Sequence, residues 1–272
     1  MGRFLKISAL ALVLILAPRS GQAQTAALEP LRALCPDRPA KGTSPCTLDA
    51  GHFQIEFGAI DTVQQRSAGV TSLQTAIGAT TLKFGLNTRT DLEISVNPWQ
   101  RSAQTGQAST KGFGDTLLRA KVKLGDQDGP SAWGVALAPF IKLPTARHGL
   151  GNGKLEAGLI LPISLALPGN MSWGLSPEVD LIENADGSGR HMNLINVVGL
   201  NLPLSNAVTG TLEVWSDTDF DPQATVTQAS FDLALAWIPS GQSRLQWDGG
   251  LNFGLNRKTP DTEVYFGVSR RF

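Results

Sequence analysis

Ala229-Ser230-Phe231-Asp232-Leu233-Ala234-Leu235-Ala236-Trp237 sets Ala229, Phe231, Leu233, Leu235 and Trp237 on one parity and Ser230, Asp232, Ala234 and Ala236 on the other. A period of two is the repeat of an extended strand whose two faces meet different surroundings. The pattern recurs in Phe53, Ile55 and Phe57, in Leu118, Ala120, Val122 and Leu124, and in Leu155, Ala157, Leu159, Leu161, Ile163 and Leu165. It returns in Leu245, Trp247, Leu251, Phe253 and Leu255.

Segments of this kind predict twelve strands, at 51–60, 71–86, 91–99, 112–124, 132–143, 154–165, 171–182, 191–202, 207–216, 225–237, 244–255 and 263–272. Most are long enough, at about 3.3 Å per residue and a tilt near 45°, to cross the roughly 25 Å apolar band of an outer membrane. A soluble sandwich more often uses strands of about five or six residues. In the second strand the apolar phase slips from Leu73 and Ile77 to Leu82, Phe84 and Leu86, which places a bulge near Thr80 and Thr81. Connections after odd-numbered strands come out at about seven to twelve residues and those after even-numbered strands at about four to seven, as expected of long external loops and short periplasmic turns. An even strand count puts both termini in the periplasm. Closure into a barrel is what lets such strands sit in lipid, because an open edge would leave amides and carbonyls unpaired in hydrocarbon. The fold expected is therefore an all-β, closed antiparallel transmembrane barrel of about twelve strands.

Composition agrees. Of 272 residues, 42% are apolar, only 17% are charged and 29 are glycine, with 23 basic side chains against 23 acidic. A balanced charge argues against a nucleic-acid binder, which needs a basic face to displace counterions. The aliphatic content argues against disorder. Residues 1–23 read as a cleaved signal peptide, with Arg3 and Lys6 at the charged start, an apolar run from Ile7 to Ala17, and Gly21-Gln22-Ala23 before the cut. Cleavage removes three basic residues and no acidic one, leaving a net charge of about −3.

Export places Cys35 and Cys46 in an oxidising compartment and predicts a disulfide in an N-terminal periplasmic segment, 24–50, ahead of a barrel at 51–272. Trp99, Trp133, Trp173, Trp215, Trp237 and Trp247 all fall near predicted strand ends, where indole rings favour the membrane interface. The last strand carries Val264, Phe266, Val268 and Phe272 on one parity and ends on phenylalanine, with Arg270 departing from the apolar pattern. This resembles the terminal signal that presents outer-membrane barrels to the assembly machinery.

Pro45-Cys46 through Gly51-His52-Phe53-Gln54-Ile55-Glu56, the hairpin Lys83-Phe84-Gly85-Leu86-Asn87-Thr88-Arg89-Thr90-Asp91-Leu92-Glu93, and Gly112-Phe113-Gly114-Asp115 resemble an outer-membrane family labelled for the MetA pathway of phenol degradation. So do Pro139-Phe140-Ile141-Lys142-Leu143-Pro144-Thr145, Gly151-Asn152-Gly153-Lys154 and Asn252-Phe253-Gly254-Leu255-Asn256. The resemblance implies an outer-membrane barrel that takes up small solutes, aromatic or hydrophobic compounds among them. It carries no catalytic or ligand residues over to this chain.

If the apolar parity faces lipid, the other lines the lumen. Lys83, Arg119, Lys121, Lys123, Lys142 and Lys154 lie on predicted strands two to six, and Glu178, Asp180, Glu213, Asp232 and Asp248 on strands seven to eleven. Glu56, Asp91, Glu93, Asp115 and Glu156 break the basic half. Two opposed rows would either set a transverse field that selects solutes or neutralise each other in a filled interior. Catalysis finds little support. His52 and His191 point inward and His148 lies in a loop, so none meets lipid beside a serine as a barrel lipase requires. Asp217, Asp219 and Asp221 could join His191 in an acidic hydrolytic site but read first as a solvated loop. Neither they nor Asn184-Ala185-Asp186-Gly187-Ser188-Gly189 completes a calcium loop. No catalytic residue, metal or cofactor is expected. The expected partners are outer-membrane lipid, the barrel-assembly machinery and a small solute, with no nucleic acid; the cell envelope is of the Gram-negative type. A barrel hydrolase and a closed structural or interaction barrel are the alternatives.

Overall fold

Hydrogen-bonded pairing runs strand by strand in chain order and returns to its start. In the computed structural model, which describes residues 31–125 and 133–272, twelve antiparallel strands form a closed barrel. They are β1 (Phe53–Ser67), β2 (Val70–Asn87), β3 (Thr90–Val96 continued by Trp99–Gln104), β4 (Thr110–Gly112 continued by Thr116–Lys123), β5 (Trp133–Leu143) and β6 (Glu156–Ile160 continued by Ile163–Ala166). The second half comprises β7 (Ser172–Leu175 continued by Glu178–Glu183), β8 (Arg190–Pro203), β9 (Val208–Asp219), β10 (Val226–Trp237), β11 (Leu245–Gly254) and β12 (Thr262–Arg271). β1 closes on β12 from Gln54↔Arg271 to Gln64↔Thr262, so no edge is left at the seam. The expected signal peptide at 1–23 lies outside the described residues.

Pro98, Pro162 and Pro177 stand in the breaks within β3, β6 and β7. A proline has no N–H to give to a ladder. Pairing nonetheless spans the breaks in β6 and β7, where the Leu161 amide donates to the Pro177 carbonyl at 2.9 Å and the Ala136 amide to the Pro162 carbonyl at 3.0 Å.

Two sequence expectations about local geometry are corrected. No bulge forms at Thr80 and Thr81: β2 keeps one register with β1 on both sides of Gly78, from Gly58↔Ala79 to Ile60↔Ile77, and the register shift lies instead in β1, between Gly58 and Ile60, in its pairing with β12; Gly78 has φ +74°, which a side chain would strain. The first long loop does not exist. Asp61–Ser67, where the apolar alternation has ended, continues β1 as polar strand paired with β2, and a two-residue turn at Ala68-Gly69 (φ +50° and +78°) joins them. At the end carrying the chain termini, the β4–β5 connection spans residues 124–132, of which 126–132 lie outside the described residues. Loop length therefore does not alternate as expected. Polar hairpins extend β1 to β3 beyond the apolar zone instead.

Leu212, Leu233, Leu251 and Val264 align in one register across β9 to β12, all exposed and all outward. Water would penalise each such side chain by about 1.5–3 kcal/mol relative to an apolar setting, and a soluble monomer rarely shows so continuous a patch. Lipid is the solvent this face fits. Trp133, Trp173, Trp237 and Trp247 are exposed around the rim that carries the termini. Trp215 departs from the expected girdle: it shares inward parity with Glu213 and lies under the Lys41 ammonium, 4.3 Å from the ring centroid.

Candidate functional site

The inward parity carries the buried charge. Glu56, Lys83, Asp91, Glu93, Lys121, Glu213, Asp232, Asp248 and Arg271 are all buried, although they stand on strands rather than in a packed core. What buries them is the chain itself. Residues 32–50 lie inside the barrel at the end carrying the termini, tied across their own loop by the Cys35–Cys46 disulfide, with Cα atoms 5.8 Å apart. Of the periplasmic segment expected at 24–50, residues 32–50 are thus a plug, and 24–30 lie outside the described residues.

Its charges answer those of the wall. Asp37 reaches the basic side, with its carboxylate 2.7 Å from Lys83 Nζ, 2.8 Å from Lys121 Nζ and 3.7 Å from Arg119 Nη1. Lys83 also meets Glu56 at 2.6 Å, and Lys121 and Arg119 each meet Glu93 at 3.4 Å. Burial opposes ionisation of Asp37, but Lys121, Lys83 and Arg119 outweigh it and hold the carboxyl well below the usual range. The next residue turns the other way. Arg38 Nη2 lies 2.9 Å from Asp248 and packs against Gly267, where a Cβ would come within 2.4 Å of Nη2 and 2.5 Å of the Phe57 carbonyl oxygen. The Lys41 and Gly42 amides donate to Glu213 at 2.9 and 3.3 Å, while Lys41 Nζ approaches Glu263 at 3.4 Å and Asp232 at 3.9 Å. Leu48 N donates to Asp91 at 2.9 Å, and Arg271 Nη1 meets Asp49 at 3.2 Å.

The opposed charges of the lumen therefore meet through a mediator. Sequence reading placed Lys83, Arg119, Lys121, Glu213, Asp232 and Asp248 on inward faces, and the structure gathers all six around the plug. Lys123 is buried at the same end. Lys142 lies further along, bound to Glu156 and 3.7 Å from Asp115. Lys154 is corrected: it precedes β6, stays half exposed and pairs with Glu183 at the opposite rim. Glu178 and Asp180 face inward near Asp217, away from the plug, and Asp180 and Asp217 each keep a buried oxygen without a hydrogen-bond partner. At that opposite rim His191 Nε2 lies 2.7 Å from Asp219, and Nδ1 is 2.9 Å from the Asn184 amide oxygen. Amides of Ala185 and Gln223 hold Asp221 below the usual carboxylate range. Asp37, Arg38 and Lys41 are the site residues that sequence reading missed, and their spacing, one acid then two bases inside a disulfide loop, was the available signal.

The plug does not fill the lumen. Beside it lies a cavity of about 560 Å³, bounded on the wall side by small uncharged groups that include Ser164, Ser172, Gly174, Ser176, Asn201 and Thr211, and by Lys123 and Glu213. The breaks at Pro162 and Pro177 fall on the same strands, β6 and β7, as Ser164, Ser172 and Gly174.

An apolar exterior, a tryptophan rim and a charged interior holding part of the chain define an outer-membrane-type β-barrel. Within that class the chain belongs to the family described as "Putative MetA-pathway of phenol degradation", which matches residues 36–272. The fold is similar to that of the COG4313 outer membrane channel from Pseudomonas putida F1, at TM-score 0.67 and 14% identity over 86% of this chain and 100% of that one. It is also similar to the NanC porin, at TM-score 0.50 and 8% identity over 80% of this chain and 98% of that one. No curated protein sequence matches the chain.

Proposed function

We propose that the protein is an outer-membrane channel for passive passage of small solutes, with the terminus-bearing rim in the periplasm and residues 32–50 as a constriction. The observation that carries the reading is the cavity beside the plug: about 560 Å³, within the range of small-molecule sites, and walled mainly by hydroxyl, amide, glycine and apolar positions, with Lys123 and Glu213 as its wall charges. Neutral hydrogen-bonding groups let a solute exchange its water shell without being trapped by charge. The family label and the name of the Pseudomonas channel favour the same reading, and the label extends it to aromatic compounds. Export by the 1–23 signal and delivery to the assembly machinery through Val264, Phe266, Val268 and Phe272 belong to this proposal.

Swelling of liposomes carrying the refolded barrel tests it. Small polar and single-ring solutes should enter faster than into empty liposomes, with rate falling as size grows. Rates equal to those of empty liposomes for every solute would refute it.

A further inference from the structure

One register across four strands aligns Glu213, Asp232, Asn252 and Glu263 on the inner wall of β9 to β12. This row is short of donors. Asp232 and Asn252 are each 3% exposed, yet Oδ1 of Asn252 has no hydrogen-bond partner and the carboxylate of Asp232 has only the Ser230 hydroxyl beside it, without a well-formed hydrogen bond. Asn252 Nδ2 donates to Glu263 at 2.7 Å, which leaves its own acceptor open beside the two acids. Buried acceptors are rarely left unpaired, because desolvating them without a donor is costly.

The only cation recorded against Asp232 and Glu263 among the described residues is Lys41. Its ammonium lies 3.2 Å from Ser230 Oγ, 3.4 Å from Glu263, 3.9 Å from Asp232 and 4.3 Å from the Trp215 ring centroid. An aromatic face together with carboxylates is the chemistry that recognises an organic ammonium group. A metal fits less well, since no cluster of three ligating side chains forms among the described residues. A neutral solute would leave the acids uncompensated.

We propose that Asp232, Glu263, Asn252 and Trp215 form a binding site for solutes bearing a primary ammonium group, and that Lys41 of the plug occupies it as an internal stand-in. The inference deepens the passage reading by naming a solute class for the lumen. An arriving ammonium competes with Lys41 for the same acceptors, so occupancy by solute and docking of this part of the plug exclude each other. Because Lys41 is tethered, its effective concentration is high and the intact protein binds such a solute weakly.

The lysine side chain is itself an n-butylammonium group, which makes n-butylamine the matched probe and n-butanol its neutral counterpart. Binding is measured by saturation-transfer NMR on the full chain in micelles, with barrel integrity checked by heat-modifiable gel mobility. Removing the internal occupant by Lys41→Met should tighten n-butylammonium binding at least tenfold. Adding Asp232→Asn to that variant should lose at least tenfold, and n-butanol should not bind. Lys41→Gln provides the same test should Lys41→Met fail to fold. Equal affinity in the wild type and both Lys41 variants, or equal binding of n-butanol, overturns the proposal. Displacement of the probe by sodium or calcium ions at equal concentration overturns it in favour of an inorganic-cation site. Binding does not require conduction, so ammonium binding in a barrel that passes no solute would sink the passage reading and leave this site standing.

Discussion

Replacing Asp37 by asparagine removes one negative charge from the plug and changes almost nothing in shape. In the intact protein that carboxylate faces Lys83, Lys121 and Arg119, of which Lys83 and Lys121 are buried. Breaking a buried pair by deleting one partner costs about 3–5 kcal/mol. The lower end applies here, because Lys83 retains Glu56 and both Lys121 and Arg119 retain Glu93. A loss of about 3 kcal/mol lowers the ratio of docked to undocked plug about a hundredfold. Amide hydrogen exchange in micelles reads that ratio directly: protection at Lys41, Gly42 and Leu48, whose amides are bonded to the wall, should fall by about two decades while strand amides hold. The pH dependence has a definite sign. A carboxyl held below its ordinary value of about 3.9 contributes fully above that value and loses its contribution only as pH falls through the depressed one. The contribution of Asp37, read as the difference in plug protection between the wild type and Asp37→Asn, should therefore stay level from pH 7 to 5. Protection in Asp37→Asn within threefold of wild type would refute the electrostatic latch.

Changing Cys35 and Cys46 together to serine opens a loop whose ends lie eleven positions apart and should cost the plug about 3 kcal/mol in the chain-entropy account; exchange should rise across 35–46 while heat-modifiable mobility shows an intact barrel. Leu251→Arg puts a charge on the outward row and should destabilise the barrel in vesicles by about 2–4 kcal/mol if that row faces mid-membrane lipid, as read by denaturant-driven unfolding. Neutralising Glu178, Asp180 and Asp217 together removes acids that face the lumen away from the plug, and should move the reversal potential under a salt gradient towards anions; an unchanged potential would place them off the ion path.

The alternation in residues 225–237 and 244–255 was legible because each outward residue there meets lipid and each inward one meets polar atoms, so parity is enforced at every step. It failed at Asp61–Ser67, where Val63 is the one apolar residue and strand pairing leaves no alternation. The slip of apolar phase in β2 misled for a related reason: the irregular step lies in β1, between Gly58 and Ile60, where it shifts the pairing with β12, and Gly78 takes a positive φ without changing the register of β2. At the lumen, sequence pattern separated basic from acidic strands without showing what stood between them. Lys121 and Lys123 illustrate the difference. As free lumen charges they would tune ion preference, but Lys121 is fully buried against Asp37, so Lys121→Glu should unseat the plug instead. Trp215 was drawn to the rim by its residue type and belongs inside by its parity, since the plug supplies a lysine for its face. Docking of the segment depends on Asp37, Arg38 and Lys41 meeting partners 46 to more than 200 residues away in sequence, a distance no local pattern encodes.

Planar-bilayer recording of the refolded full-length barrel tests the central claim most directly. Discrete conductance steps, small because the plug narrows the lumen and larger in Asp37→Asn, are the predicted result. A silent bilayer for both proteins, with the barrel shown to be folded and inserted, would contradict the account and make the plugged barrel a closed structure.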